Sequence, residues 1–362
     1  MKRKPGALHY RSLFIAFYTS TMKRHLPSPN LRGRSNRIYF SKALNALILF
    51  LLIMATLAAQ SQALVSQKTR DLFKAIRSGS SSELETRLNN GADPNDSLDG
   101  YSALMGAALS GTAEQMKILI DRGANVNFAA QTGVTALWLA APDWDKTKLL
   151  LGHGADVNHK VQGYGLLVKI AAMPGTLPVT KLLIEKGADP KQSAPDNSLV
   201  FNAASSGDTA ILGFYLRSGF KANDTTLFGD YPISGALFYR CSATVKMLID
   251  NGSEVNRQSK SFQLSSFNGF TALMFAAWNN DKGSFYYLLD HGADPNLKNE
   301  NGYTALMLLQ QGEEDDPAMT KALLDHGAEP SLKTKAGNDA LHFAMKKGNT
   351  ESVAILKKYS TK

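Results

Sequence analysis

"HGADPNLKNENGYTALM", His291–Met307, gathers a histidine, an aspartate, a glutamate, three asparagines and a tyrosine into one short span. So many oxygen donors suit a calcium loop. The spacing does not. An EF-hand loop takes acidic or amide ligands at its first, third and fifth positions, Gly at the sixth and Glu at the twelfth. Counted from Asp294, the fifth position is Lys298 and the sixth is Asn299. What the stretch does is decided by its recurrence.

Its first half returns along the chain as "NNGADPN" (89–95), "DRGANVN" (121–127), "GHGADVN" (152–158), "EKGADP" (185–190), "RSGFKAN" (217–223), "DNGSEVN" (250–256) and "DHGAEP" (325–330). The first glycines are Gly91, Gly123, Gly154, Gly187, Gly219, Gly252, Gly292 and Gly327, at intervals of 32, 31, 33, 32, 33, 40 and 35. Its second half returns as "GYSALMGAA" (100–108), "GVTALWLAA" (133–141), "GFTALMFAA" (269–277) and "GNDALHFA" (337–344). Ser102, Thr135, Thr271 and Thr304 stand where a hydroxyl caps a helix. The pair Ala107–Ala108 allows close helix approach, and Met116, Leu119 and Ile120 give the next segment an apolar face. The glycine ends that segment, because the left-handed cap conformation costs Gly nothing. Helix periodicity with a break about every 33 residues argues against a parallel α/β sheet.

On these phrases the chain resembles the ankyrin-repeat family from about Gln67 to Lys357, with about nine units. The resemblance implies an all-α repeat solenoid of stacked helix-turn-helix units with β-hairpin fingers. There are departures. The family's Thr-Pro-Leu-His phrase has Ala for Pro and Met or Trp for His here, and only His342 keeps the imidazole. Units four to six are degenerate: "GYGLLVKIAAMPG" and "DNSLVFNAASSG" lack the finger phrase, so lower local stability is expected there. Lys346, Lys347, Lys357 and Lys358 mark the last unit as a solvated cap.

The net charge of +9 does not belong to the repeats. Residues 1–63 hold ten Lys and Arg and no acid, which leaves 30 basic and 31 acidic residues in the rest. No nucleic-acid groove is expected in a nearly neutral body. The leader carries an apolar segment at 43–59, "ALNALILFLLIMATLAA", preceded by basic residues and followed by small ones. This is the layout of a secretory signal, with exits after Ala58, Ala59 or Ala63. An uncleaved membrane anchor and an organellar transit sequence are the alternatives, and Met22 is a second possible start. The expected location is export, periplasmic or secreted if the signal is cleaved and membrane-anchored otherwise. Residues 64–362 form the expected repeat domain.

Chemistry finds little support. There is no G-x-S-x-G, no P-loop and no G-x-G-x-x-G. His153, His291 and His326 recur just before the glycine, where a helix C-terminus favours imidazole, so they read as scaffold and not as metal ligands. Cys241 reads as a buried, inert thiol in the first helix of unit six, and "GEEDDP" (312–317) as a solvated acidic loop or a charged patch for a partner. Neither metal nor cofactor nor catalytic residue is expected. The expected function is non-enzymatic protein binding by a monomer; a membrane-tethered scaffold and an effector delivered into a host cell are the other readings.

By resemblance, partners meet the finger tips and the exposed ends of the first helices, along a concave face. These positions are Tyr101, Val134, Phe270 and Tyr303 at the tips, and Leu109, Phe238, Tyr239 and Trp278 at the helix ends. Aromatic side chains there suit an interface. "RQSKSFQLSSF" (257–267) accounts for the 40-residue interval as a finger insertion, 257–266, beside the aromatic residues of units six to eight. The competing reading is that these rings pack on neighbouring fingers.

Overall fold

The computed structural model describes residues 66–194, 198–226, 229–260 and 267–360. The leader, where a signal or anchor is expected, and residues 261–266 of the finger insertion lie outside the described residues. No helix among the described residues is long and apolar enough to cross a membrane. The chain forms two compact units divided between Thr135 and Ala136.

The first unit holds helices α1 (Gln67–Ser78), α2 (Ser81–Asn89), α3 (Ala103–Ser110) and α4 (Ala113–Asp121). Between α2 and α3 lies a finger of two-residue strands, β1 (Ser97–Leu98) and β2 (Tyr101–Ser102), paired antiparallel. Ser102 caps α3 by accepting from the Met105 N–H at 3.2 Å. Thr112 and Gln115 form a reciprocal capping box on α4.

The second unit repeats the helix pair. Its elements are α5 (Ala136–Ala140) with α6 (Trp144–Gly152), α7 (Leu166–Ala171) with α8 (Leu177–Glu185), then a short α9 (Pro190–Ser193), α10 (Ser198–Ser205) with α11 (Thr209–Arg217), and α12 (Pro232–Phe238) with α13 (Ser242–Asp250). α14 (Ala272–Trp278) pairs with α15 (Lys282–Asp290), α16 (Ala305–Leu309) with α17 (Pro317–Asp325), and α18 (Ala340–Lys347) with α19 (Thr350–Ser360). Thr271 and Thr304 cap α14 and α16 as the sequence predicts. Aspartates cap the second helices: Asp143, Asp208, Asp281 and Asp316 accept N–H groups from the first turns of α6, α11, α15 and α17. The small pairs Ala203–Ala204 and Ala276–Ala277 are buried, as are Leu150, Leu183, Leu248, Leu288 and Leu323 of the second helices.

All eight repeat glycines have φ between 80° and 93°, the left-handed region. After α15, Gly292 N–H donates to Leu289 O at 3.1 Å and Ala293 N–H to Leu288 O at 3.0 Å, which satisfies the helix's last carbonyls.

Four residues beyond five of these glycines stands an asparagine with a non-local role. Asn256 Nδ2 donates to Gly292 O at 3.0 Å, and its Oδ1 accepts from Asp294 N–H at 2.8 Å. One amide edge thus reads two main-chain groups of the next seam. The same pair of bonds joins Asn95 to Gly123 and Asn125, Asn158 to Gly187 and Asp189, Asn223 to Gly252 and Glu254, and Asn296 to Gly327 and Glu329. The corresponding position after Gly187 is Lys191, which cannot accept.

A second tie runs from six of the repeats to the carbonyl end of the preceding first helix. Gln115 Nε2 donates to Ala75 O, Asn202 Nδ2 to Val168 O, Thr244 Oγ1 to Ala204 O, Asn279 Nδ2 to Leu237 O and Asn349 Nδ2 to Gln310 O. Lys169 Nζ does the same for Trp138 O and Ala141 O. The degenerate middle units therefore keep this tie while changing the residue that makes it.

Two sequence expectations need correction. The fingers are β-hairpins only in part: β1–β2 is the one ladder among the described residues, with isolated bridges at Ala129–Thr135 and Val161–Tyr164. Others are tight turns such as Asn299–Tyr303 and Thr334–Asn338, closed by one N–H donating four residues ahead. Five residues are too short for a ladder. Cys241 is not in a first helix either. α12 ends at Phe238, Arg240 takes φ 59°, and Cys241 is the half-buried N-cap of α13.

Asn256→Ala removes both bonds of one seam and is expected to lower unfolding stability by about 1–2 kcal/mol, measured by urea denaturation. Burial pushes the Lys169 ammonium down to about 8, from 10.5 when exposed. Between those values the unfolded chain binds more protons, so stability rises with pH there. Lys169→Met is expected to flatten that rise between about pH 8 and 9.5, read from urea midpoints.

Candidate partner-binding surface

Aromatic side chains of the second unit gather around one ring that no repeat position marks, Phe267. Phe267, just after the finger insertion, lies 5.8 Å from Phe238, 5.2 Å from Phe270, 5.5 Å from Phe275 and 5.2 Å from Trp278 between ring centroids. Most of these contacts are edge-to-face, the favoured arrangement for ring quadrupoles. Phe267 closes the stretch 257–267. Its spacing from Phe270 and Phe275 was the available signal, but a residue in an insertion has no repeat register to place it.

The predicted residues divide by exposure. Tyr239, at the C-cap of α12, and Trp278, at the last turn of α14, are each 38% exposed. Phe238 is half-buried and meets Tyr239 edge-on at 5.3 Å. Phe270 is only 5% exposed, so it supports the cluster from beneath. Tyr303 is half-buried, with its ring 5.5 Å from Phe343 of α18. In the first unit, Tyr101 is 37% exposed at the tip of β2 and Leu109 is exposed on α3, while Val134 is half-buried. Packing of rings on their neighbours thus holds for Phe238, Phe270 and Tyr303, and Tyr239 and Trp278 are left facing solvent. Trp144, Tyr286 and Met345 are also exposed. They fall in helices whose repeat positions vary, and nothing in the sequence set them apart.

The finger beneath the cluster is held on both sides. Arg257 donates to Asn223 O at 3.1 Å and Thr225 Oγ1 at 3.0 Å, with its guanidinium 5.3 Å from the Tyr231 ring centre. Tyr231 Oη donates to Arg257 O at 2.6 Å. On the other side, Gln258 Nε2 donates to Lys298 O at 2.7 Å. Ser259 N–H donates to Phe270 O at 2.8 Å and closes the base of the inserted loop.

The acidic loop is only half a solvated loop. Glu313 and Glu314 are exposed. Asp315 accepts from the Glu351 and Ser352 N–H groups at the start of α19, and Asp316 caps α17 while pairing with Lys282 at 2.8 Å. Two of its four carboxylates therefore bind neighbouring units together.

The three repeated histidines bond locally: each Nδ1 lies 2.7–2.8 Å from a carbonyl four residues back, Leu149 O, Tyr287 O and Ala322 O, to which it donates. A neutral or charged imidazole with N–H at that nitrogen satisfies a helix-end carbonyl. No group of three His, Cys, Asp or Glu among the described residues is placed to hold a metal ion. Burial, and then the Asp281 carboxylate, push the Cys241 thiol up. That is opposite to the shift that activates a nucleophile.

The family model described as ankyrin repeats in three copies matches residues 72–161, 104–196, 200–299 and 273–362. The chain belongs to the ankyrin-repeat family. Ankyrin repeats are protein–protein interaction modules and generally non-enzymatic. Among relatives of this ankyrin-repeat chain, the human mitochondrial disaggregase is 29% identical over 175 residues, 48% of this chain and 24% of that protein. A putative ankyrin repeat protein of fowlpox virus is 28% identical over 172 residues, 46% of this chain and 39% of that one. The rat ankyrin repeat and SAM domain-containing protein 6 is 34% identical over 77 residues, 21% of this chain and 8% of that one. The chain spans less than half the length of each of these relatives.

Phe267→Ala is expected to cost about 2 kcal/mol of stability, because four rings lose their common neighbour. Tyr239→Ala is expected to cost under about 1 kcal/mol, both read from thermal or urea unfolding.

Proposed function

We propose that this ankyrin-repeat chain is an exported, non-enzymatic module that binds a protein partner through the aromatic surface of its sixth to eighth repeats. The observation that carries the reading is the pair Tyr239 and Trp278, exposed while Phe238 packs edge-on against Tyr239 and Phe267 against Trp278. Large, rigid rings fixed by packing lose little entropy when a partner covers them, which is the character of an interface anchor. Tyr101 and Leu109 give the first unit its own exposed apolar positions at a finger tip and a helix end. The export part rests on the leader alone: basic residues, the apolar segment 43–59 and the small residues after it.

The binding test is affinity capture with the full chain, followed by the double variant Tyr239→Ala/Trp278→Ala. The variant is expected to keep its helical circular dichroism and to bind the captured protein about 30-fold more weakly, equivalent to about 2 kcal/mol. Unchanged affinity in a folded variant contradicts the surface assignment. For export, sequencing of the mature N-terminus is expected to begin after Ala58, Ala59 or Ala63. An intact Met1 or Met22 with retention in carbonate-washed membranes supports the anchor instead.

A further inference from the structure

The sequence holds three Asn-x-Ser/Thr acceptor patterns for N-linked glycan: Asn95-Asp96-Ser97, Asn223-Asp224-Thr225 and Asn251-Gly252-Ser253. Two of these asparagines are seam residues. Asn95 Nδ2 donates to Gly123 O at 3.0 Å while its Oδ1 accepts from Asn125 N–H at 2.8 Å. Asn223 makes the same pair with Gly252 O and Glu254 N–H, both at 2.8 Å. Asn251 differs. It is the exposed C-cap of α13, and its Nδ2 donates to Met247 O of its own helix at 2.7 Å.

We infer that the three patterns divide by geometry: Asn251 can carry an N-linked oligosaccharide in the folded protein, whereas at Asn95 and Asn223 a glycan and the native seam exclude one another. Transfer joins Nδ2 to the anomeric carbon of a lipid-pyrophosphate-linked oligosaccharide. The carbon–oxygen bond to the pyrophosphate breaks, that group leaves with the electron pair, and one amide proton is released. The side chain becomes a secondary amide and takes the trans arrangement, as such amides do. In that arrangement the sugar carbon lies on the same side as Oδ1. The seam uses that edge, since Nδ2 and Oδ1 both face one main-chain segment two residues long. The sugar therefore occupies the place of the hydrogen that binds Gly123 O or Gly252 O, and its bulk parts the two units.

The other seam asparagines lie outside the pattern. Two residues beyond Asn158, Asn256 and Asn296 stand Lys160, Gln258 and Lys298. The consequence for biogenesis is specific: a route that transfers oligosaccharide to the unfolded chain damages two seams, so the body is built for a compartment without that transfer. This holds whether or not the aromatic surface binds a partner.

The test modifies the full chain while unfolded, with purified oligosaccharyltransferase and a lipid-linked oligosaccharide donor, and then refolds it. Variants drawn from Ser97→Ala, Thr225→Val and Ser253→Ala, taken two at a time, leave one acceptor each. Every variant is compared with its own unmodified form, which cancels any cost of the substitutions, including loss of the Arg257 bond to Thr225. A glycan at Asn251 is expected to leave the melting temperature within about a degree. A glycan at Asn95 or Asn223 is expected to lower it by several degrees or to prevent refolding. Equal melting for glycosylated and unmodified forms at Asn95 and Asn223, or a loss at Asn251 as large as at the other two, overturns the inference.

Discussion

The structure depends on one short-range constraint: a repeat cannot bury its own apolar face, so each seam has to be fixed in register. The bidentate asparagine does this. Apolar packing between units is strong but has little direction, and helices can slide along one another. An amide that donates to one carbonyl and accepts from the N–H two residues on permits a single register. The glycine of the next repeat makes this possible, because its left-handed turn presents its carbonyl and the N–H two residues on to the asparagine of the repeat before it. Glycine and asparagine therefore act together across the seam, and neither alone explains the recurrence of "GADPN".

Local features of the fold were legible. Gly292, Thr304 and the apolar spacing of α14 and α15 follow rules that operate within a few residues, and the structure places each where those rules put it. Asn296 was legible as scaffold, but not the partner it binds, which lies 31 residues ahead. The ties from Asn202, Lys169 and Thr244 to the preceding first helix were not legible, since three residue types perform one role and no phrase repeats. They explain how the degenerate middle still pairs its helices. Where Lys191 replaces the seam asparagine, Gly165 N–H donates to Ser193 O at 2.9 Å and Gly175 N–H to Asp208 Oδ2 at 2.7 Å.

The candidate surface was legible by position and not by exposure. Repeat register picks out Tyr239, Phe270, Trp278 and Tyr303, but it cannot say which rings a neighbour will cover. Phe267 decides that for Phe270 and Trp278, and it enters at the edge of an insertion that has no counterpart in the other units. The acidic loop teaches the same lesson. Four adjacent carboxylates read as one patch, yet Asp315 and Asp316 are taken up by the next helix starts while Glu313 and Glu314 face water. Non-local contact sorts residues that composition treats alike.

The central claim is that the seam amide bonds hold the units in register. Native-state hydrogen exchange tests it at the amides of Asn125, Asp189, Glu254, Asp294 and Glu329, which donate to the seam asparagines. These amides sit in turns, where exchange is otherwise fast. Protection comparable to the buried helix amides of Leu248 and Leu288 is the predicted result. Exchange at the rate of an open turn contradicts the account.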